Sequence, residues 1–551
     1  MKLTGAQILV EELVNQGVDT IFGYPGGQVL NIYDELYKNA HRIQHVLTAH
    51  EQGAVHAADG YARVMDRPGV VIATSGPGAT NLVTGIANAY LDSVPLIAVT
   101  GNVSTSLLGR DSFQEVDIVG ITQPIVKHNY IVRDVKNLEQ TLKEAFVIAN
   151  TGRKGPVLID IPKSVQVSEA DYSNSAKICV KSGEARRSCD LTDAINAIAE
   201  SKKPFIYCGG GVISAGAQEQ IIELSKRLSA PIGLSMMGIS AVPYSYDLNL
   251  GMCGMHGRYA SSAAQAEADL IIAAGVRFSD RATGNTSEYT KGCTVIHIDI
   301  DASEIGKNVS PQIGLCGDIK EVLTQLLSSI PGKKNQVWLD MVTKFKAREA
   351  VEPNDEFTPR NIIGLINAAF AKDTVVATDV GQHQMWTIQY YKFEQPRRLL
   401  TSGGLGTMGF GMGAAIGGCI ANGRKPTVLI TSDGSFGMNL TEMATAVSQE
   451  LPLVIVLMNN GVLGMVRQWQ TLFYDKRSSQ TTLQRKTDFP LLARAFGANG
   501  YTAESLAALE DIVGNRLDGK GPCLIDCKIN IDEKVLPFIP PGGSIKDIVL
   551  H

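Results

Sequence analysis

The sequence predicts an α/β protein with three domains, each a parallel sheet flanked by helices. Three times along its 551 residues, short runs rich in β-branched residues lead into a glycine-rich turn and then into a longer amphipathic segment. This alternation is typical of parallel strands joined by helical crossovers. Two polar stretches of linker composition interrupt it, residues 168–188 and the segment KAREAVEPNDEFTPR. We therefore expect domains at 1–165, 190–330 and 358–530, followed by a tail at 531–551.

Composition argues against several classes of protein. Hydrophobic residues make up 44% and charged residues 19% of the chain, which is the usual balance of a globular protein. The formal net charge is -5 and no basic block stands out, so nucleic acid and anionic membranes are not expected partners. The nine cysteines include no CxxC pair, which argues against a zinc ribbon or a disulfide scaffold and favours a reducing compartment.

One apolar stretch has the length of a membrane span. Residues 403–420, GGLGTMGFGMGAAIGGCI, are rich in glycine and lack the aromatic belt and strong aliphatic content of a span. We expect a loop and a helix buried against neighbouring elements. The first eighteen residues form an amphipathic pattern with early acidic residues rather than a secretion signal, so we expect a cytoplasmic protein.

Two apolar runs in the last third end in small polar residues. VLITSDG places Asp433 at the end of one run, and LVIVLMNN places Asn460 at the end of the next, 460 − 433 = 27 positions later. The interval has the length of a helix, which predicts a βαβ unit whose ligand lies beyond the carboxyl ends of its strands. Both side chains offer oxygen ligands for Mg²⁺, and Gly434 and Ser435 open the helix with N–H groups that can face a phosphate. The pattern predicts a site for a metal-bound diphosphate.

Each half of this pattern alone is more often an ordinary turn. Together they resemble the thiamine diphosphate signature, Gly-Asp-Gly followed some two dozen residues later by Asn-Asn, with Ser432 in place of the first glycine. Nearby, GLGTMG at residues 404–409 fits the GxGxxG nicotinamide fingerprint, but the segment before it is a poor strand. A nicotinamide dehydrogenase is an alternative that rests on this match alone.

A thiamine enzyme also needs a carboxylate beside the aminopyrimidine ring, because this contact favours the tautomer that activates the cofactor. In TAHEQGAVHAADGYAR, Glu51 lies at a strand-to-helix junction among small apolar residues. An isolated glutamate there would more often cap the helix or face solvent. Together with the following TSGPGATN, however, the segment resembles the pyrimidine domain of thiamine enzymes. Glu51 is therefore the predicted tautomer-setting carboxylate.

An ordered set of motifs narrows the resemblance. Through residues 3–545 run GYPGG, FQEVDIVGITQPIVKHNY, GPVLIDIPKSVQ, GVRFSDRATGN, DVGQHQMW, TSGGLGTMG, LGMVRQWQTLFY and LPFIPPGG. They resemble the catalytic large subunit of the acetohydroxyacid synthase family, also called acetolactate synthase. The chain departs from that family at Asn102, where glutamine is common, and at Ser164 and Ser279, where aspartate is common.

The resemblance implies an activity and three domain roles. Members of the family decarboxylate pyruvate on thiamine diphosphate and transfer the two-carbon unit to pyruvate or 2-oxobutyrate. The products are 2-acetolactate and 2-aceto-2-hydroxybutyrate, on the route to the branched-chain amino acids. The first domain would bind the pyrimidine of the cofactor, the central Rossmann-like domain FAD, and the third the diphosphate and Mg²⁺.

The resemblance also implies roles for particular residues. The implied catalytic residues are Glu51, Phe113, Gln114 and Lys163. The implied thiamine diphosphate contacts are Glu51, Gly381, Gln382, His383, Gly406, Met408, Gly434, Ser435 and Met465. The implied Mg²⁺ ligands are Asp433, Asn460 and the backbone carbonyl of Val462. Met465 and Trp469 would shape the acceptor pocket, where a tryptophan wall favours the extra methyl of 2-oxobutyrate; the alternatives are helix packing for Trp469 and core packing for Met408.

The middle third resembles the flavin-binding domain of the family. The implied FAD contacts are Arg153, Gly209, Gly210, Gly211, Met255, His256, Gly275, Arg277 and Arg281. Glycines at strand ends admit a diphosphate and arginines pair with it, although a tight turn accounts for each glycine taken alone. In this family the flavin does no net redox work, so its expected role is structural.

Partners follow from the same resemblance. Glu51 lies in the first domain and Asp433 in the third, and in the resembling enzymes a site joins the first domain of one chain to the third of another. We expect a homodimer or homotetramer and a small regulatory subunit that senses branched-chain amino acids. The nearest rival function is another thiamine and flavin enzyme such as a pyruvate oxidase. A further alternative is a cofactor-binding scaffold that has lost catalysis. Such a protein would lack Glu51 or one of the metal ligands Asp433 and Asn460, and this sequence has all three.

Overall fold

The computed structural model describes residues 1–173, 190–349 and 354–550 and confirms the predicted fold class. Within these ranges lie three six-stranded sheets, every strand pairing in them is parallel, and helices cover both faces. The strands are nearly continuous apolar runs because a sheet covered on both sides buries the side chains of both faces.

The first sheet has the strand order β3-β2-β4-β5-β7-β6. The elements of this part of the chain are β1 (Lys2–Thr4), α1 (Gly5–Asn15), β2 (Thr20–Gly23), α2 (Leu30–Lys38), β3 (Gln44–Leu47), α3 (Glu51–Met65), β4 (Gly69–Ala73), α4 (Pro77–Thr80), α5 (Val83–Leu91), β5 (Leu96–Asn102), α6 (Ile118–Thr122), β6 (His128–Ile131), α7 (Leu138–Asn150), β7 (Pro156–Pro162), α8 (Lys163–Val167) and β8 (Glu169–Asp171).

The middle sheet has the order β11-β10-β9-β12-β13-β14. Its elements are α9 (Thr192–Glu200), β9 (Pro204–Cys208), α10 (Gly210–Ser214), α11 (Gln218–Leu228), β10 (Ile232–Leu234), β11 (Asn249–Met252), α12 (Tyr259–Glu267), β12 (Leu270–Ala274), α13 (Asp280–Thr283), α14 (Thr286–Tyr289), β13 (Thr294–Asp299), β14 (Ile313–Cys316), α15 (Ile319–Ser329) and α16 (Gln336–Arg348).

The third sheet has the order β16-β15-β17-β18-β20-β19. Its elements are α17 (Pro359–Ala369), β15 (Val376–Thr378), α18 (Gln382–Tyr390), β16 (Leu399–Leu400), α19 (Phe410–Ala421), β17 (Thr427–Ser432), α20 (Asp433–Phe436), α21 (Met443–Ser448), β18 (Leu453–Asn459), α22 (Gly464–Phe473), α23 (Phe489–Ala495), β19 (Asn499–Ala503), α24 (Leu506–Asp511) and β20 (Cys523–Lys528).

Parts of the two stretches predicted as linkers are regular structure. At the start of the first stretch, β8 pairs antiparallel with β1. The second stretch begins inside α16, whose Trp338 Nε1 donates to the carbonyl of Pro204 at 3.0 Å and so attaches this helix to the middle sheet. Composition alone could not separate these pieces from a linker, because their partners lie far away in sequence. Residues 174–189 and 350–353, which contain the rest of the predicted linkers, lie outside the described residues.

The apolar stretch at residues 403–420 is a loop followed by α19, as expected, and α19 is buried along nearly its whole length. No helix among the described residues is long and apolar enough to cross a membrane. Instead, α19 packs directly on α3, with glycines at the contact. A Cβ at Gly417 would overlap the carbonyl oxygen of Ala57, and one at Gly60 would overlap that of Ala414. The two backbones therefore touch, and this contact joins the first sheet of the chain to the third.

We expect Gly417→Ala to destabilise the protein by about 1–3 kcal/mol, because an added methyl group must push two packed helix backbones apart. The matched control is Gly364→Ala in α17, where a Cβ meets no atom within 4 Å and alanine is the better helix former. Urea unfolding followed by circular dichroism measures both variants. Equal midpoints for the two variants would show that α3 and α19 are not in backbone contact.

Candidate active site

The predicted metal ligands Asp433 and Asn460 lie at one edge of the third sheet. Strands β17 and β18 are adjacent and parallel, with Ser432 opposite Met458. Asp433 begins α20 directly after β17, and Asn460 follows β18. The predicted βαβ unit is thus present, although its crossover is divided between α20, a 3₁₀ turn at Leu440–Glu442 and α21. The parallel pairing brings both side chains to the same end because parallel strands share their carboxyl edge.

Asp433 is a buried carboxylate whose charge the protein does not fully compensate. Its Oδ1 atom is buried and has no hydrogen-bond partner. Burial raises the pKa of Asp433 to about 6, and hydrogen bonds from the backbone N–H groups of Gly434 and Gly461 offset only part of that effect. An unsatisfied buried carboxylate oxygen is the kind of group that a bound cation satisfies.

The neighbouring oxygens form a set that fits Mg²⁺. Asn460 Oδ1 accepts from the backbone N–H of Val462 at 3.3 Å, and Asn460 Nδ2 donates to Gln382 Oε1 at 3.3 Å. Gly464 leaves room for this amide, because a Cβ there would overlap Gln382 Oε1. No group of three His, Cys, Asp or Glu side chains suited to a metal occurs in the described part of the chain. A magnesium site completed by phosphate oxygens and water needs no such group.

A small cavity lies beside these residues. Seven of the predicted site residues line it: Gly381, Gln382, His383, Met408, Asn460, Val462 and Met465. Gly381 has φ of +150°, which lets the chain turn sharply into the first residue of α18. Burial lowers the pKa of His383 to about 3, so its imidazole is neutral, and its Nε2 has no partner. Ser435 is another predicted contact of the cofactor, and its Oγ donates to the carbonyl of Val380 at 3.2 Å.

The first sheet carries a second group of predicted residues at its carboxyl edge. Glu51 is the first residue of α3, and its Oε2 accepts from Asn81 Nδ2 at 2.9 Å. Lys163 begins α8 directly after β7, and its Nζ donates to the carbonyl of Gly27 at 3.4 Å. Gln114 has φ of +58° and packs against the turn at Gly76. Its neighbour Phe113 is 84% exposed.

The two groups do not meet within one chain. Of the described residues that line the small cavity, none comes from the first sheet or its helices. The side chain of Glu51 faces Asn81 and the turn at Gly78, both in its own domain. A single chain therefore presents the predicted site residues as two separate half-sites.

A much larger cavity, of about 1750 Å³, runs from the middle sheet toward the third. Eight of the nine residues predicted to contact FAD line it: Arg153, Gly210, Gly211, Met255, His256, Gly275, Arg277 and Arg281. Gly209 is not among its lining residues, because this glycine packs against the carbonyl oxygen of Gly275 and joins the turns that follow β9 and β12. Gly406 and Trp469 also line this cavity, and Met408 and Met465 line both cavities.

The charges in the large cavity fit an anionic ligand. Burial and the neighbouring Arg153 lower the pKa of Arg277. Arg153 donates to Glu304 Oε1 at 2.7 Å across the boundary between the first and middle domains. A half-buried guanidinium whose pKa is lowered is stabilised by a phosphate, and the glycine turns leave room for one.

Comparison with known proteins identifies the family. Models of thiamine pyrophosphate enzymes match three consecutive parts of the chain: the N-terminal TPP binding domain at residues 3–121, the central domain at 191–326 and the C-terminal TPP binding domain at 379–527. The acetolactate synthase isozyme 3 large subunit of Escherichia coli is 41% identical over 100% of this chain and 98% of its own length. The acetolactate synthase large subunit of Cyanidium caldarium is 44% identical over 98% of this chain and 96% of its own. The chain belongs to the acetolactate synthase large-subunit family.

A third relative supports the same assignment. The probable acetolactate synthase large subunit of Methanocaldococcus jannaschii is 42% identical over 99% of this chain and 95% of its own length. In this acetolactate synthase family member, the matched N-terminal range contains strands β2 to β5 of the first sheet, and the matched C-terminal range contains most of the third sheet, from β16 onward. The matched central range contains the whole middle sheet.

Sequence reasoning missed Glu442, a fully buried carboxylate of the third domain. Its Oε1 accepts from the backbone N–H of His50 at 3.0 Å, and its Oε2 accepts from that of Ala49 at 3.2 Å. These two residues directly precede Glu51, so Glu442 caps the start of α3 from another domain. The only signal in the sequence is an acidic residue inside the turn motif SDGSFGMNLTE, which does not reveal its partner.

Asn102, one of the departures from the family pattern, contacts a second buried carboxylate in this family member. Asn102 Nδ2 donates to Asp160 Oδ2 at 2.6 Å, and Thr100 Oγ1 donates to Asp160 Oδ1 at 2.7 Å. Burial raises the pKa of Asp160 to about 7 despite these two bonds. Asp160 lies in β7, the strand that leads into Lys163.

We expect Asp160→Asn to stabilise the protein at high pH relative to the wild type. Since the folded-state pKa lies above the unfolded value, the contribution of Asp160 to stability is fully present below the unfolded pKa and is lost as pH rises through about 7. The variant lacks this loss. Its free energy of unfolding should therefore rise, relative to that of the wild type, by on the order of 2–4 kcal/mol between pH 4.5 and pH 8.

Urea midpoints across this pH range measure the effect. Asp340→Asn, on an exposed face of α16, is the control for removing one carboxylate. If the difference in the free energy of unfolding between Asp160→Asn and the wild type did not change with pH, burial would not raise the pKa of Asp160 in the folded chain.

Proposed function

We propose that the chain is an acetolactate synthase, which decarboxylates pyruvate and transfers the two-carbon unit to pyruvate or 2-oxobutyrate. The products would be 2-acetolactate and 2-aceto-2-hydroxybutyrate, early compounds of branched-chain amino acid synthesis. The single observation that carries the proposal is the intact pair of half-sites, with Glu51 on one and Asp433 and Asn460 on the other, in a chain similar to named acetolactate synthases over its whole length.

The third domain would hold the cofactor by its charged end. Bound thiamine diphosphate supplies the electron sink that lets a 2-oxo acid lose carbon dioxide. Asp433, Asn460 and the Val462 carbonyl would hold Mg²⁺, and Mg²⁺ would neutralise the buried carboxylate. Gly381, Gln382 and His383 would place the first N–H groups of α18 toward the diphosphate. Gly434 and Ser435 would do the same from α20, and Gly406 and Met408 would border the ring system.

The first domain would supply the acid and the walls near the reacting centre. Glu51 would share a proton with the ring nitrogen of the aminopyrimidine and so select its tautomer. Gln114 and Phe113 would border the reacting atoms, and Lys163 would attract the carboxylate of the incoming 2-oxo acid. Met465 and Trp469 would border the acceptor, where one extra methylene is worth about 1–3 kcal/mol of discrimination.

FAD would occupy the large cavity as a structural cofactor. The eight predicted residues that line the cavity, together with its volume of about 1750 Å³, support this assignment. A pyruvate oxidase would instead reduce its flavin with pyruvate and form peroxide. The names of the relatives and the tryptophan at position 469 favour the synthase.

A homodimer would complete the site. The separation of the half-sites within one chain supports an arrangement in which the Glu51 edge of each chain faces the Asp433 edge of its partner. The exposed ring of Phe113 would then be covered. The relatives are named large subunits, which supports a smaller regulatory partner.

Two further expectations stay proposals. The domain division at 1–165, 190–330 and 358–530 encloses the three matched family ranges, although α16 extends the middle domain beyond residue 330.

A cytoplasmic location is supported by cysteines that behave as small buried apolar residues: Cys208, Cys253, Cys293, Cys419, Cys523 and Cys527. Cys179 and Cys189 lie outside the described residues.

We expect Glu51→Gln to lower acetolactate formation by about 100-fold or more, because an amide does not share a proton with the cofactor ring as a carboxylate does. The assay contains pyruvate, thiamine diphosphate, Mg²⁺ and FAD, and acetolactate is measured as acetoin after acid treatment. Glu144→Gln in α7 is the control for removing one carboxylate far from both half-sites. Unchanged turnover in Glu51→Gln would refute its role, and no product from the wild type would refute the proposed function.

Mixing two inactive variants tests the shared site. A heterodimer of a Glu51→Gln chain and an Asp433→Ala chain has one site with both defects and one with neither. Random exchange of chains should therefore restore about a quarter of the wild-type activity, since half of the dimers are mixed and each has one intact site. Each variant alone should stay inactive. If both residues served a site within the same chain, no mixture would recover activity.

A further inference from the structure

The tail of the chain packs behind residues that line the large cavity and places an aromatic ring beside one of them, Trp469. Phe538 is 1% exposed. Its ring centroid lies 6.1 Å from that of Trp469 and 5.2 Å from that of His256, on which it stacks. It also lies 6.2 Å from Phe473. The ring thus sits between a predicted flavin contact and the predicted acceptor wall.

Backbone and side-chain hydrogen bonds fix the position of this part of the tail. Val535 N donates to Gln468 Oε1 at 2.9 Å, and Gln468 Nε2 donates back to the carbonyl of Val535 at 3.2 Å. On the other side of Phe538, Ile539 N donates to the carbonyl of Met255 at 2.8 Å. Phe538 itself exchanges two backbone hydrogen bonds with Val549. The tail is therefore held by both the third and the middle domain.

Helix α22 cannot hold the indole of Trp469 by itself. The ring contact of Trp469 within α22 is Phe473, one turn later, and Phe473 is 46% exposed. Two further contacts come from elsewhere in the chain: Arg281 lies over the indole at 5.6 Å, and Phe538 packs against it from the tail. Since Arg281 has a long, flexible side chain, Phe538 is the rigid and buried support.

We propose that Phe538 is a positioning residue that holds the indole of Trp469 in place and thereby sets the preference between the two acceptors. This inference rests on the proposed function, in which Trp469 borders the acceptor. A wall recognises one extra methyl group only if it does not yield, because the gain in contact energy is lost when the ring moves away. Phe538 lines neither of the two cavities described above, so it acts through the indole.

The test is the product ratio of the holoenzyme with pyruvate and 2-oxobutyrate together. We expect Phe538→Leu to lower the preference for 2-oxobutyrate by about threefold or more, with pyruvate consumption within about twofold of the wild type. The matched control is Phe393→Leu, which shortens another buried ring that packs on Tyr391 and not on Trp469. The proposal would be overturned if the product ratio were unchanged in Phe538→Leu, or if Phe393→Leu lowered the preference for 2-oxobutyrate by the same factor.

A second measurement needs no turnover. The chain has three tryptophans, and Trp338 and Trp386 are each 2% exposed, so quenching of tryptophan fluorescence by iodide reports mainly on Trp469. Phe538→Leu should raise the iodide-quenched fraction, whereas Phe538→Tyr, which keeps the ring, should leave both this fraction and the product ratio at the wild-type values. Unchanged quenching in Phe538→Leu would overturn the proposal. If the wild type made no acetolactate, the proposed function would fail while the quenching still tested the contact.

Should Phe538→Leu not fold, Phe538→Met replaces the ring with an unbranched side chain of similar volume. The same lowered ratio and raised quenching are expected of it. A wild-type ratio in this variant would show that bulk at position 538, and not the ring, supports the indole, which contradicts the proposal.

Discussion

The direct contact between α3 and α19 is the constraint on which the arrangement of the candidate site depends. Glycines at the crossing let two helix backbones touch, so the first and third sheets of one chain are held in a single relative orientation. Glu442 strengthens this orientation by capping the start of α3 from the third domain. Because α3 carries Glu51 at that end, the proposed catalytic carboxylate is held away from the proposed metal ligands of its own chain. The proposed homodimer follows from this geometry.

Buried charges mark the places that suit cofactors. A carboxylate out of water is costly unless a partner compensates it, and the partnerless oxygen of Asp433 lies where two strand ends meet. Arg277 is the opposite case, a half-buried cation beside Arg153 in a cavity bordered by glycine turns. One site thus favours a divalent cation and the other an anionic group. Both are present in a chain whose relatives are acetolactate synthases.

Departures from the family pattern are accommodated locally. Asn102 reaches Asp160 in the neighbouring strand. Ser164 Oγ accepts from the backbone N–H of Thr105 at 3.0 Å and donates to Thr105 Oγ1 at 3.1 Å. Ser432 caps α20 in place of the usual glycine of the turn. Short polar side chains fit these positions because polar groups of neighbouring strands and turns lie within hydrogen-bond reach.

The sequence by itself determined the parallel sheets and the placement of Asp433, Asn460 and Glu51 at strand ends, because strand periodicity and turn chemistry are local properties. Eight of the nine residues that the sequence motifs predicted as FAD contacts line the large cavity, since these motifs follow the strand ends that border it. Only the tertiary structure decided which distant residues meet. It placed Gly209 in a contact between turns instead of in the cavity wall, paired Glu442 with the backbone before Glu51, and seated Phe538 against Trp469. These contacts join residues far apart in the chain, and no local pattern encodes the partner of a buried side chain.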